Sequence, residues 1–201
     1  MSRTIVLLAA TTLLAGCAAI GGPKTEVSIY APQTRVQADP AWPAVDWQLT
    51  VGTPDTHALL DSQRIAVRPS PDRLQTYKGA RWADTAPELL QTALVRAFED
   101  SGRFTSVARF GNTGRRGDVA LFSELRHFET IYTDGQPRVV VELQARLVGR
   151  DGRIATKRFR EEVAPATPEV DAVATAFGQA MASLSGELVA WSLAEGGRRK
   201  D

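Results

Sequence analysis

Apolar positions along the chain follow two periods. Trp47-Gln48-Leu49-Thr50-Val51 alternates, the spacing of a strand with one buried face, and Val27-Ser28-Ile29-Tyr30 does the same until Pro32 ends it. Arg64-Ile65-Ala66-Val67-Arg68 predicts a third short strand, stopped by Pro69 and Pro71. Residues 32–46 carry Pro32, Pro40 and Pro43 and predict an extended arm, with Trp42 and Trp47 as core or rim packing. After the stretch Leu74–Asp84 the period changes. Leu89, Leu90, Ala93, Leu94, Ala97 and Phe98 fall on one face of a helix. Thr85 and Glu88 have the spacing of a capping box, Pro87 fits the first turn, and Gly102 is placed to end the helix. Phe104 to Phe110 returns to strand, and strand, helix, strand in that order predicts a right-handed crossover.

The second half repeats the pattern with longer strands. Val119, Leu121 and Leu125 alternate with Phe122, Arg126 and Phe128. Val139, Val141, Leu143, Ala145 and Leu147 share one face of the next strand. Asp151-Gly152 predicts a type I′ hairpin into Ile154–Val163, whose alternation slips near Lys157 and Arg158 and predicts a bulge or an exposed edge. A last helix is expected from Thr167 as N-cap, with Pro168 first inside it. Its stripe of Val170, Val173, Ala174, Phe177, Met181, Leu184, Leu188 and Trp191 packs on the sheet or, alternatively, on a partner. Together these elements predict an α+β two-layer sandwich, a mostly antiparallel sheet with two long helices on one face.

The beginning of the chain changes that picture. Arg3 precedes an apolar run from Ile5 to Leu14, the pattern of an export signal and too short to span a bilayer. Leu14-Ala15-Gly16-Cys17 then resembles the bacterial lipobox. That resemblance implies lipidation of the Cys17 thiol, cleavage between Gly16 and Cys17, and palmitate among the added chains. Two or more acyl chains anchor essentially permanently. Ala18 and Ala19, with no Asp at position 18, imply the outer membrane, with the protein on its periplasmic face. The expected divisions are a signal peptide over 1–16, a tether over 17–26, a domain over 27–195 and a disordered basic tail over 196–201.

Composition removes several classes of function. The 201 residues hold 24 Lys and Arg against 23 Asp and Glu, which gives no electrostatic case for nucleic acid. Cys17 is the only cysteine, so once lipidated it leaves neither a disulfide nor a cysteine-ligated metal. His57 and His127 lie far apart, and no metalloprotease or nucleophile-elbow motif accompanies them. Asp55, His57 and Asp61 cluster in a loop and read as solvated. No cofactor, no metal and no catalytic residue is expected. A phosphate cradle at Gly111–Asp118 lacks the P-loop ending. The terminal Arg198-Arg199-Lys200 is disordered or touches anionic head groups.

Three blocks of sequence carry a family resemblance. Ser62–Arg68 leads into Leu74-Gln75-Thr76-Tyr77, then Arg81-Trp82-Ala83-Asp84 and the helix closing in Ser101-Gly102-Arg103-Phe104. Leu125-Arg126-His127-Phe128, Asp151-Gly152-Arg153-Ile154 and the helix ending at Trp191 follow. These resemble the ABC-type transport auxiliary lipoproteins, the family of paraquat-inducible protein C, over residues 27 to 193. The resemblance implies a non-enzymatic component of lipid traffic, partnered with an MCE-domain protein that forms a conduit from an inner-membrane ABC transporter. It also implies a homo-oligomeric ring beside a phospholipid membrane. A structural lipoprotein that assists assembly of an outer-membrane complex is the competing reading, and an envelope hydrolase the third. Tyr77, Arg81 and Trp82 either contact lipid or partner, or pin their stretch onto the first helix.

Overall fold

The structure is a computed structural model, and it describes residues 26–111 and 117–197. Eight strands and two helices follow in the order β1 (Ser28–Tyr30), β2 (Gln48–Val51), β3 (Arg64–Ser70), β4 (Arg73–Trp82), α1 (Ala86–Asp100), β5 (Ser106–Arg109), β6 (Val119–Thr133), β7 (Gln136–Gly149), β8 (Ile154–Val163) and α2 (Val170–Gly196). All strands join one sheet, organised on β6. One edge of β6 pairs along its length with β7, and β7 pairs with β8. The other edge is shared. Leu49–Val51 of β2 lies parallel to Val119–Leu121, while Ala66–Arg68 of β3 lies parallel to Glu129–Ile131. The sheet therefore forks, with β5 beyond β2 on one prong and β4 and β1 beyond β3 on the other.

Four of its seven strand pairings are parallel, so the sheet is mixed rather than mostly antiparallel. The α+β class and the two helices are as the periodicity predicts. Both helices cover one face: α2 lies over β7 and β8, and α1 packs beside it over β5 and β2. Val139, Val141, Leu143 and Ala145 of β7 point at them and are completely buried.

Several local expectations are corrected by geometry. β3 runs through Pro69, with a register irregularity between Val67 and Ser70 that accommodates it. Leu74–Trp82 is a strand antiparallel to β3. Since β3, β6, β2 and β5 run parallel, β4 and β5 are antiparallel and α1 makes no parallel crossover between them. Thr85 occupies the N-cap position but its side chain makes no cap hydrogen bond. The Glu88 carboxylate turns instead toward Thr53 and Arg109. Helix α2 starts two residues after the expected position, with Glu169 as N-cap, and a hydrogen bond from the Thr167 hydroxyl holds the Glu169 carboxyl pKa below the ordinary value.

The β6–β7 turn is the type I′ hairpin: Asp134 and Gly135 have φ of 51° and 75° between the paired residues Thr133 and Gln136. Asp151-Gly152 is a different turn. Only Gly152 has positive φ there, Gly152 N–H donates to Gly149 O, and Gly149 N–H donates to Arg153 O, which is a three-residue loop with a glycine bulge. β8 pairs with β7 without a slip, so it is an exposed edge and carries no bulge. The bulge is in β6, between Leu125 and His127. It inverts the alternation and sends Phe128 into the core, edge-on to Trp82 and tilted against Phe177, where simple alternation places it on the other face.

Candidate functional site

The predicted trio on β4 does not form one surface. Trp82 is completely buried, edge-on to Phe128 and Phe177 at 5.7 and 5.0 Å. Burial removes it from direct contact with lipid or partner, and it pins β4 to the core. Tyr77 is half-buried, and desolvation pushes its hydroxyl pKa up. Arg81 is exposed and donates to the Gln63 side-chain carbonyl. Gly16 and Cys17 lie outside the described residues, as do most of the tether and the basic tail.

The helix-free face carries an ionic ladder that sequence reading missed. Glu129, 2% exposed, accepts from Arg68 Nε and Nη2 at 3.2 Å each, and His127 Nδ1 lies 2.6 Å from its Oε1. Across the β6–β7 pair His127 stands opposite Glu142. Glu142 takes Arg160 at 2.7 Å, and Arg160 in turn holds Glu162 at 2.7 Å. Burial alone would raise the Glu142 carboxyl, but the hydrogen bond and charge of Arg160 outweigh it and hold the pKa below the ordinary value. Ion pairs thus tie β3 to β6 and β7 to β8, each buried carboxylate matched by a guanidinium. The signal was present in the sequence. A two-residue turn at Asp134-Gly135 fixes the register that puts His127 opposite Glu142.

Two of the cavities outside this ladder bear on the residues singled out in the sequence. One, of about 550 Å³, opens where the sheet forks and is lined by Asp55, His57, Glu124, Arg126 and Arg146. Arg126 pairs with Glu124 at 3.1 Å, and Asp61 is not part of the lining. Among the described residues no group of three His, Cys, Asp or Glu could hold a metal.

The other cavity, of about 580 Å³, lies between the arm and α2 and is lined by Tyr30, Pro32, Arg35, Asp171, Gly178 and Gln179, among others. Small residues at Ala174, Gly178, Ala182, Gly186 and Ala190, one turn apart, make a shallow track along α2. The arm follows it: Gln33 crosses at Gly178 and Val36 at Gly186, while Trp47 lies on Gly196. Tyr30 anchors one end by donating to Asp171 at 2.6 Å. At the other end Arg103 donates to the carbonyls of Asp39 and Pro40, and Val45 N–H donates to Arg103 O.

The model of the ABC-type transport auxiliary lipoprotein component matches residues 28–189, from β1 to near the end of α2. The chain belongs to that family. A solved structure, protein XCC0632 from Xanthomonas campestris, of the family DUF330, is similar at 42% identity with a TM-score of 0.80, over 85% of this chain and 97% of that one. The hypothetical protein CT253 from Chlamydia trachomatis shares the fold alone, at 9% identity and a TM-score of 0.52, over 74% of this chain and 96% of that one. An uncharacterised Bradyrhizobium diazoefficiens protein, bll6063, is 30% identical over 86% of this chain. The chain spans about half, 47%, of the length of that curated relative. Among the described residues of this auxiliary lipoprotein no helix is long and apolar enough to cross a membrane.

Proposed function

We propose that this chain is the non-catalytic lipoprotein of an MCE-type lipid transport system. In this reading cleavage behind Gly16 frees Cys17 for acylation, and residues 17–26 tether the domain to the periplasmic face of the outer membrane. The domain docks the end of the MCE conduit as a homo-oligomeric ring, with Tyr77 and Arg81 in contact with partner or lipid. The observation that carries the reading is the family match over nearly all of the folded domain, which is a family of transport auxiliaries.

The test is affinity capture of the full-length protein from detergent-solubilised envelopes, with mass spectrometry and lipid extraction. An MCE-domain protein and phospholipid are expected in the eluate. A β-barrel partner without any MCE-domain protein overturns the reading. Labelled palmitate should enter the wild-type chain and not Cys17→Ser.

A further inference from the structure

The edge of the sheet where the chain enters its first strand sets exposed apolar side chains beside cations, directly after the tether. Val27, just before β1, and Ile29 on it are 49% and 58% exposed, two of four large hydrophobic side chains in that state among the described residues. In register, Ile29 stands beside Arg81 of β4, and Arg81 stands opposite Arg64 of β3. Paired positions project to the same side, so one apolar and two cationic side chains form a row across three strands. Lys78, also exposed, lies on the same hairpin. Elsewhere on this face Arg68, Arg126 and Arg160 each hold a carboxylate, and Arg138, Arg146 and Arg158 form no ion pair among the described residues but stand opposite no second cation in register. Arg64, Lys78 and Arg81 form no ion pair among the described residues. Like charges directly opposite on neighbouring strands oppose folding, and an anion placed between them would relieve that repulsion.

We propose that the β1–β4–β3 edge lies on an anionic phospholipid bilayer, with Arg64, Arg81 and Lys78 on head-group phosphates and Val27 and Ile29 in the interface. The proposal rests on the reading of Cys17 as the lipid anchor. From Cys17 to Glu26 an extended chain spans roughly 30 Å, so the first ordered strand after the tether is held within reach of the head groups. Tethering raises the effective concentration of this edge at the surface, and weak contacts then suffice. Each cation near a charged surface shifts the docked-to-undocked ratio about fivefold.

The experiment uses the full-length lipidated protein in phosphatidylethanolamine vesicles containing phosphatidylglycerol and a head-group nitroxide lipid. With Cys17 acylated, a bimane label reports from Ile29→Cys alone or, as control, from Arg158→Cys on the far edge strand β8. Quenching is expected at position 29 and not at 158. The Arg64→Glu/Arg81→Glu variant, which reverses both charges, or vesicles without phosphatidylglycerol, which leave all three cations without anions, should lower the docked ratio by more than the roughly thirtyfold that losing two cations gives. Arg64→Gln/Arg81→Gln gives a milder loss and guards against misfolding of the reversal. Flotation with the vesicles but equal quenching at 29 and 158, or quenching indifferent to both charge variants, overturns the docking and leaves the anchor standing. Failure to float overturns the anchor and the docking together.

Discussion

The carbonyl of Gln33 rests on Gly178. A Cβ added at Gly178 would stand 2.6 Å from that oxygen, closer than any side chain tolerates. The contact fixes where the extended arm crosses α2, and it sets two effects of opposite sign against each other. Alanine in a helix is favoured over glycine by about 1 kcal/mol. Overpacking against a fixed backbone costs about 1–3 kcal/mol. Gly178→Ala should therefore change global stability by no more than about 1–2 kcal/mol, while amide exchange over residues 31–37 rises sharply as the arm lifts. Unchanged protection of the arm would show that the track does not hold it.

A second anchor sits at the end of the same helix. Arg153, in the β7–β8 turn, donates to the carbonyls of Glu195 and Gly196 at 2.6 and 3.3 Å. The Glu195 carbonyl also accepts from the Gly197 N–H at the C-cap, so Arg153 adds a second donor there, and a cation at this position meets the negative end of the helix dipole. Arg153→Ala should cost about 1 kcal/mol and fray the last turn of α2. The loss should be smaller in high salt, measured by thermal unfolding with and without added chloride, since the dipole part is screened.

How far these features could be read in advance depended on what each residue needed to know. The alternating stretch Val139–Leu147 and the stripe on α2 are local periodicities, and burial follows them directly. The two Asp-Gly pairs look alike in sequence, yet only Asp134-Gly135 has both residues at positive φ, because only there do the flanking strands close over two residues. Phe128 was illegible for a related reason. A bulge at the preceding residues adds one position to β6, and nothing local to Leu125-Arg126-His127 announces it. The arm is the extreme case. Residues 32–46 have no period of their own and take their shape from the small residues of α2, more than a hundred positions downstream.

The buried carboxylate of Glu129 makes the ladder testable. Arg68→Ala leaves it with His127 alone, and removing one partner of a buried pair costs about 3–5 kcal/mol. Arg68 keeps a quarter of its side chain exposed, which favours the lower end. Replacing both partners with apolar residues of similar volume, Arg68→Met with Glu129→Leu, should restore most of the loss. Chemical denaturation of the two variants and the wild type checks this. A double variant no more stable than Arg68→Ala would mean that the ladder holds the sheet by charge rather than by filling space.

Two carboxylates on β8 and its neighbour should titrate with opposite effects. Glu142 has its pKa held below the ordinary 4.5, the hydrogen bond and charge of Arg160 outweighing burial. It therefore contributes stability that is complete above 4.5 and is lost as pH falls through the lower folded value. On the helix side of β8, Glu161 is raised above 4.5, first by burial and then by the nearby Glu187. The folded state binds its proton more tightly than the unfolded chain does, so ionisation opposes folding. That penalty is complete above the raised folded value and vanishes below 4.5. Thermal unfolding from about pH 3 to pH 8 follows both effects on either side of the ordinary carboxylate range. Glu142→Gln should be less stable than wild type at neutral pH, and Glu161→Gln more stable. The Glu161→Gln difference should vanish at the acid end, where both side chains are neutral, whereas the Glu142→Gln difference should narrow as the wild type loses its ion pair. Differences of the same sign at neutral pH would mean that Glu187 and burial do not oppose the Glu161 charge as the structure indicates.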